Sequence, residues 1–327
     1  MTSLDQSPNE AAQGRLEHFP ITFFATTMGL GGFTLALRAG ASVLGLPKGL
    51  YLVAFWATVL VFSLVAIGYA AKAMRHWGAV KAEWNHPVRL SFYPTASVSM
   101  LLLATALLTI AKPAALALWI IGTALQGVLT LSIVSNWIGT RSFQHGALNP
   151  AWFIPAVGNV IVPVAGAQLG FVEISWLFFS AGMMFWVVLL TLVFNRLVFH
   201  DPLPARLQPT LVIMVAPPAV AFVAWLRLVG QVDAFAHILL SLGYLFAALV
   251  AVQLPRILRL PFAMSFWALS FPVASLTIAT LVYAETVHSG AHVTLGAGLL
   301  VVLAVLIAGL VGRTLLAIAR GEICQPE

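Results

Sequence analysis

The residues of this chain that could do chemistry are few, and most of them stand beside prolines inside apolar stretches. Gly158 and Asn159 lie between Pro155 and Pro163, and Thr95 and Ser99 follow Pro94. Ala216 precedes Pro217, Ser270 comes just before Phe271 and Pro272, and Gly29 follows Pro20 by nine residues. These are amides, hydroxyls and small side chains, and no nucleophile–base–acid set accompanies them. His288 and His292 have the i, i+4 spacing that suits zinc on a helix, but no third ligand is near them in the sequence. Asp233 and His237 can meet across one turn, as a structural contact rather than an acid–base pair. The single cysteine, Cys324, excludes an intrachain disulfide and a thiolate metal cluster. No glycine-rich phosphate loop is present. Such a set suits letting a solute pass rather than making or breaking its bonds. No enzyme activity, cofactor or resident metal is expected.

The elements that must position these residues are membrane helices. Hydrophobic residues make up 61% of the 327 and charged residues only 8%, against about 25% in a soluble domain. Mean hydropathy is +1.00. Apolar runs near the roughly 20 residues needed to cross a bilayer recur along the whole length. Ten are read, at about 19–37, 51–71, 92–111, 114–135, 150–170, 173–195, 209–228, 234–254, 262–284 and 293–317. The expected division is a tail at 1–17, a ten-helix membrane domain at 18–319 and a second tail at 320–327. The first tail is polar and lacks the basic start and apolar middle of a signal peptide.

Prolines sort the ten runs into two sets. The odd-numbered runs carry Pro20, Pro94, Pro155 with Pro163, Pro217 with Pro218, and Pro272, and the even-numbered runs carry none. Proline removes a backbone donor and frees a carbonyl four residues back. An unsatisfied backbone group in hydrocarbon is costly, so such a segment belongs inside the protein or along a watery cavity. The residue before proline is Phe19, Tyr93, Ile154, Ala216 and Phe271 in turn, at intervals of 74, 61, 62 and 55 residues. Each interval holds two spans, so the repeating unit is a helical hairpin. Five such hairpins predict a pseudo-fivefold ring around a central pore, kinked at these prolines. Gly29, Thr95, Ser99, Gly158, Asn159, Ala216 and Ser270 are the candidates for lining it.

Basic residues set the orientation. With the N-terminus in the cytoplasm, 12 of the 16 Lys and Arg fall inside; Arg38, Lys48, Lys112 and Arg227 fall outside. Both termini are then cytoplasmic, in a multi-pass protein of the cell membrane. The net charge of +6 reflects this bias and spreads over short loops, so no nucleic-acid partner is expected. Glu173, Asp233 and Glu285 fall at the outer ends of their runs, so no carboxylate stands near mid-membrane to carry a coupling proton or sodium. Passive anion movement through a neutral pore is the simpler mechanism.

Several segments resemble the TehA tellurite-resistance and dicarboxylate transporter family, which shares a superfamily with the plant guard-cell slow anion channels. They are His18-Phe19-Pro20, Asn85-His86-Pro87, the run Asn149–Pro155, Gly158-Asn159 and the run Ser265–Pro272. The resemblance covers all ten runs. It implies five hairpins, a pore lined by the odd-numbered helices, a homotrimer with one pore per subunit, and a phenylalanine on the ninth helix that plugs the pore. Phe271, the aromatic before Pro272, matches the pattern best, with Phe266 next and Phe262 an ordinary packing residue. The implied function is an anion channel or uniporter for small inorganic or organic anions. The alternative is a coupled carrier or exporter for a dicarboxylate such as malate, for sulfite or for a tellurium oxyanion.

Overall fold

The computed structural model describes residues 14–140, 143 and 145–325. Most of the first tail (1–13), Arg141 and the end of the second tail (326–327) lie outside the described residues. All regular structure among the described residues is helical. The helices are α1 (Phe24–Val43), α2 (Lys48–Arg75), α3 (Trp77–Asn85), α4 (Pro94–Leu107), α5 (Lys112–Ser135), α6 (Phe153–Val157) and α7 (Val162–Gly166). After these come α8 (Val172–Phe199), α9 (Ala216–Val229), α10 (Ala234–Ile257), α11 (Ser270–Val287) and α12 (Gly290–Ala319). Among the described residues eight helices are long and apolar enough to cross a membrane. The other two expected runs are the 20-residue α1 and a shorter apolar stretch, Pro150–Gly166. The protein is a multi-pass membrane protein.

Burial separates the proline-bearing runs from the rest. The segments Arg89–Leu107, Ala205–Val229 and Met264–Val287 bury 72–78% of their apolar window, whereas α2, α8, α10 and α12 and the Lys112–Gly139 segment bury 17–33%. The second group displays large apolar side chains such as Trp56, Leu60, Leu131 and Val301. A helix with an apolar exterior needs lipid or another protein surface against it.

The proline-bearing runs do not kink within one continuous α-helix. Each begins as a tighter 3-10 turn and becomes α-helical near its proline. These turns are Ile21–Phe23, Arg89–Phe92, Pro150–Trp152, Ala205–Val215 and Met264–Leu269. Pro94, Pro217 and Pro272 then occupy the first three positions of α4, α9 and α11. A missing N–H costs nothing in the first turn of an α-helix, where donors are unpaired anyway. The fifth run is the most broken. Pro155 lies in α6 and Pro163 in α7, with the 3-10 turn Gly158–Ile161 between them. Pro20 precedes the first 3-10 turn in extended backbone. The helices of the even-numbered runs are not free of proline beyond the expected bounds: α5 starts with Pro113 in its first turn, and α10 runs past the expected end at 254 to include Pro255.

Packing follows the same division. Neighbour contacts run from α1 to α4, from α4 to α6 and α7, from α7 to α9, from α9 to α11, and from α11 back to α1. The 3-10 turns repeat that order, Ile21–Phe23 touching Arg89–Phe92 and so on round to Met264–Leu269, which touches Ile21–Phe23 again. Each proline-bearing run also packs on the long helix that follows it. Small residues permit the close crossings. A Cβ at Gly29 would overlap the Ser270 side chain, and one at Gly32 would lie 2.9 Å from Ala274 Cβ.

Candidate functional site

A cavity of about 50 Å³ touches all five proline-bearing runs. Met28 comes from α1, Val98 from α4, Phe153 and Val157 from α6, Val220 from α9 and Phe271 from α11. Each residue of its wall is apolar or glycine. Pro217 and Pro272 are part of the wall, so two of the α-helix starts border the space directly. Phe271 is 7% exposed. Its ring lies on the bare face of Gly32, where an added Cβ would come within 3.1 Å of Phe271 Cδ2. Phe266 is outside this wall and packs beside Phe262, ring centroids 5.9 Å apart. Phe262 in turn lies under the Arg313 guanidinium, 5.6 Å from the ring centroid.

The seven residues expected to line a path divide clearly. Gly158 and Ala216 border the cavity. The hydroxyls are turned to backbone and to neighbouring helices. Thr95 donates to Phe92 O (2.5 Å), and Ser270 to Trp267 O (2.6 Å). Ser99 donates to Thr95 O (2.7 Å) and lies 2.6 Å from the Thr27 hydroxyl of α1. Asn159 donates to Ala156 O (2.8 Å), and Gly29 is covered by Ser270 and Trp267. These short-range bonds use groups three or four residues apart, the usual reach of Ser, Thr and Asn side chains to their own helix. Where a 3-10 turn interrupts the α ladder, they supply the partners that hydrocarbon cannot.

Two polar sets escaped the sequence reading. The first is on α5. Gln126 is fully buried, accepts from Ser97 (2.7 Å) and donates to Pro155 O (3.2 Å). Thr130 donates to the same carbonyl at 2.7 Å. They satisfy the oxygen that the Gly158–Ile161 turn leaves without its helical partner. One amide inside an otherwise apolar run was the available signal. The second set surrounds Lys72 and Glu83, a salt bridge of 2.9 Å with both side chains almost wholly buried. Glu83 rides on α3, a short helix inside what the sequence suggested was a loop. Lys72 also donates to Phe19 O (2.8 Å), while Glu83 accepts from Ile21 N (3.2 Å) and from the Tyr69 hydroxyl (3.0 Å). Tyr69 lies 2.9 Å from the Tyr93 hydroxyl, which donates to Val80 O.

The remaining titratable candidates are structural. His86 Nδ1 accepts from Val88 N and Arg89 N, shaping the turn ahead of α4. Asp233 caps α10, and Ala236 N–H is the main reason its carboxyl is held below the usual range; Trp225 adds to the effect. His237 packs on Tyr283 rather than pairing with Asp233. Among the described residues no group of three His, Cys, Asp or Glu could hold a metal. His292 shares a hydrogen bond with Ser289 at 2.8 Å. Cys324 packs onto the core, and burial pushes its thiol upward in pKa against the opposing charges of Lys72 and Arg15.

Comparison with known proteins agrees along nearly the whole chain. The profile of a family described as voltage-dependent anion channel matches residues 18–315. An S-type anion channel of Arabidopsis thaliana, SLAH2, is 29% identical over 314 residues, covering 91% of this chain and 60% of the plant protein. A tellurite resistance protein TehA homolog of Haemophilus influenzae is 29% identical over 284 residues, 84% of either chain. An uncharacterized transporter of Methanocaldococcus jannaschii is 27% identical over 296 residues, covering 83% of this chain and 86% of its own.

Proposed function

The chain belongs to the voltage-dependent anion channel family that includes TehA homologues, and on that premise we propose that it is an anion channel or uniporter closed by Phe271. In this reading the proline-bearing runs form the inner ring of a ten-helix, five-hairpin bundle. The central path runs through the cavity between them, with small inorganic or organic anions as the solute. The single observation that carries the reading is that cavity: it draws its wall from all five proline-bearing runs and includes Phe271 but not Phe266. The cyclic order of contacts supports the ring.

An apolar wall with a phenyl ring in it stops ions by excluding water, a hydrophobic constriction of the kind that gates by dewetting. Selectivity then belongs to the width of the path and to the charge at its mouths, because the candidate hydroxyls are spent on backbone carbonyls. The basic bias assigns the Lys72 end to the cytoplasm and the Arg38 end to the outside of the cell membrane. The apolar outer faces of α2, α5, α8, α10 and α12 suit lipid and, in a homotrimer, neighbouring subunits.

The experiment is anion current through the purified protein in planar bilayers, at matched reconstitution, for wild type, Phe271→Ala and Phe262→Ala. Phe271→Ala raises basal chloride and nitrate conductance at least tenfold in this reading, and Phe262→Ala leaves it unchanged. An equal rise in both, or none, removes the plug. Flux that follows a proton or sodium gradient, without unitary conductance, would make the protein a coupled carrier.

A further inference from the structure

The ring of 3-10 turns at the Lys72 end holds polar atoms that the protein leaves without partners. Ser91 Oγ lies in the turn Arg89–Phe92, Trp152 Nε1 in Pro150–Trp152, Gln208 Oε1 in Ala205–Val215 and Ser265 Oγ in Met264–Leu269. Each atom is buried, and among the described residues none has a hydrogen-bond partner. These four turns touch in that order, and the cycle closes through Ile21–Phe23. They also border the cavity: Ile213 and Ala268 belong to two of them, and Phe153 follows directly on a third. The hydroxyls nearby behave differently. Ser97, Ser99 and Ser270 stand a few residues further along and donate to carbonyls three or four residues back. Ser91 and Ser265 stand near the start of their turns, where no preceding turn of helix supplies such a carbonyl. Trp152 is held by Trp137, stacked at 4.4 Å, and by Phe143, edge-on at 5.4 Å, so its N–H is not free to swing toward another acceptor.

We propose that this ring is a dwelling site for a small anion at the Lys72 end of the path, with Ser91, Trp152 and Ser265 as its donors. The inference deepens the anion-channel reading and rests on it for its purpose, though not for its chemistry. Buried polar side chains are nearly always hydrogen-bonded, so four unmatched atoms on consecutive turns call for a solute that supplies the partner. Three of the four can donate, and a bond donated to an ionised acceptor is stronger than one donated to a neutral group. The donors themselves are neutral. They replace part of an anion's hydration without holding it as a buried cation would, which suits both entry and release. Gln208 Oε1 is an acceptor and turns a bare anion away. It suits a water that the anion keeps, while Gln208 Nε2 stays on Leu203 O at 3.3 Å.

The test separates binding from conduction. Nitrate is titrated against the full-length protein in detergent, and thermal unfolding reports the binding, since a ligand of the folded state raises the midpoint by mass action. Wild type is compared with Trp152→Phe, Ser91→Ala and Trp186→Phe. The Trp186 indole N–H is also buried and unpartnered among the described residues, but it lies on α8, outside the ring. Losing one donor weakens binding by about threefold to tenfold, so Trp152→Phe and Ser91→Ala each raise the half-effective nitrate concentration by that factor. Trp186→Phe leaves it at the wild-type value. Each variant is compared with its own nitrate-free midpoint, which removes any change in basal stability. In the Phe271→Ala background the nitrate concentration for half-maximal current rises by the same factor. Thermal titrations of Trp152→Phe and Ser91→Ala that both match Trp186→Phe overturn the ring. No current in any background, with the thermal titrations shifting as stated, refutes the channel reading and leaves the ring standing.

Discussion

The two ends of this bundle handle charge in opposite ways. At one, Lys72 and Glu83 are 2% and 3% exposed, and their charges meet at 2.9 Å with backbone and hydroxyl groups around them. At the other, Arg227 and Glu285 lie exposed, and Arg38 donates to the carbonyl of Thr105. A buried pair that satisfies itself has nothing to offer a solute. It ties the start of the first run to α2, α3 and, through Tyr93, to the turn ahead of α4. Exposed charges in water contribute little to folding. The difference teaches that charge at a helix end is not one feature: the same residue types are buried as a fastening at one end and left exposed at the other.

The strongest way to break this comparison is to remove one partner of the buried pair. Lys72→Ala leaves Glu83 buried without a counter-charge, which costs about 3–5 kcal/mol. Thermal unfolding in detergent then shows a drop of many degrees and a loss of protein recovered from the membrane. Replacing both residues by apolar ones of similar size, Lys72→Met with Glu83→Leu, recovers much of that loss because no lone charge remains. If Lys72→Ala unfolds at the wild-type temperature, the pair is not a fastening and the contrast between the ends collapses. A smaller effect sharpens it. Tyr93→Phe deletes the hydroxyl that links Tyr69 to Val80 O, a loss of about 1 kcal/mol. The fall in midpoint for Tyr93→Phe should be visibly less than for Lys72→Ala.

Much of the fold was legible because its determinants are local. Proline announces a missing donor wherever it stands, so the division into buried and exposed runs could be read from Pro94, Pro217 and Pro272 alone. The form of the break could not. A chain that meets a proline can kink, or it can tighten beforehand into a 3-10 turn, and the choice depends on what satisfies the freed carbonyl. The break after Pro155 likewise depends on α5, where Gln126 and Thr130, 25 or more residues away in sequence, bond the carbonyl of Pro155 itself. The site was legible to the same degree. Phe271 stood out because a large ring beside a proline has a distinctive context, whereas Phe266 has none. Thr95, Ser99 and Ser270 were sound candidates for a polar lining by type, but a hydroxyl in a helix can turn toward its own backbone or toward an axis, and one rotamer separates the two. Lys72 and Glu83 are a pair only because α3 folds back across the turn at His76, and no spacing rule covers that geometry.

The smallest expected effect belongs to the Arg38 end and concerns Asp233. Its extended backbone and its carboxylate, which accepts from Ala236 N and Trp225 Nε1 at 2.9 Å each, make it the N-cap of α10 and its tie to α9. An N-cap oxygen satisfies a donor that the helix cannot, and negative charge there complements the positive end of the helix dipole. The Ala236 N–H bond is the main cause of its lowered pKa, so the folded state binds a proton less readily than the unfolded chain does. The stabilisation is therefore fully present above the unfolded value near 3.8 and disappears as pH falls through the lower folded value. Asp233→Ala should lower the unfolding midpoint by a small amount that stays constant from pH 8 to pH 5. The gap to wild type narrows only as pH falls below about 4, because neutral Asp233 keeps its hydrogen bonds but loses its charge. Asp233→Asn retains both acceptor bonds and should fall between the two, without the acid-side change. A gap that stays constant down to pH 2 would show that the Asp233 charge contributes nothing to the cap.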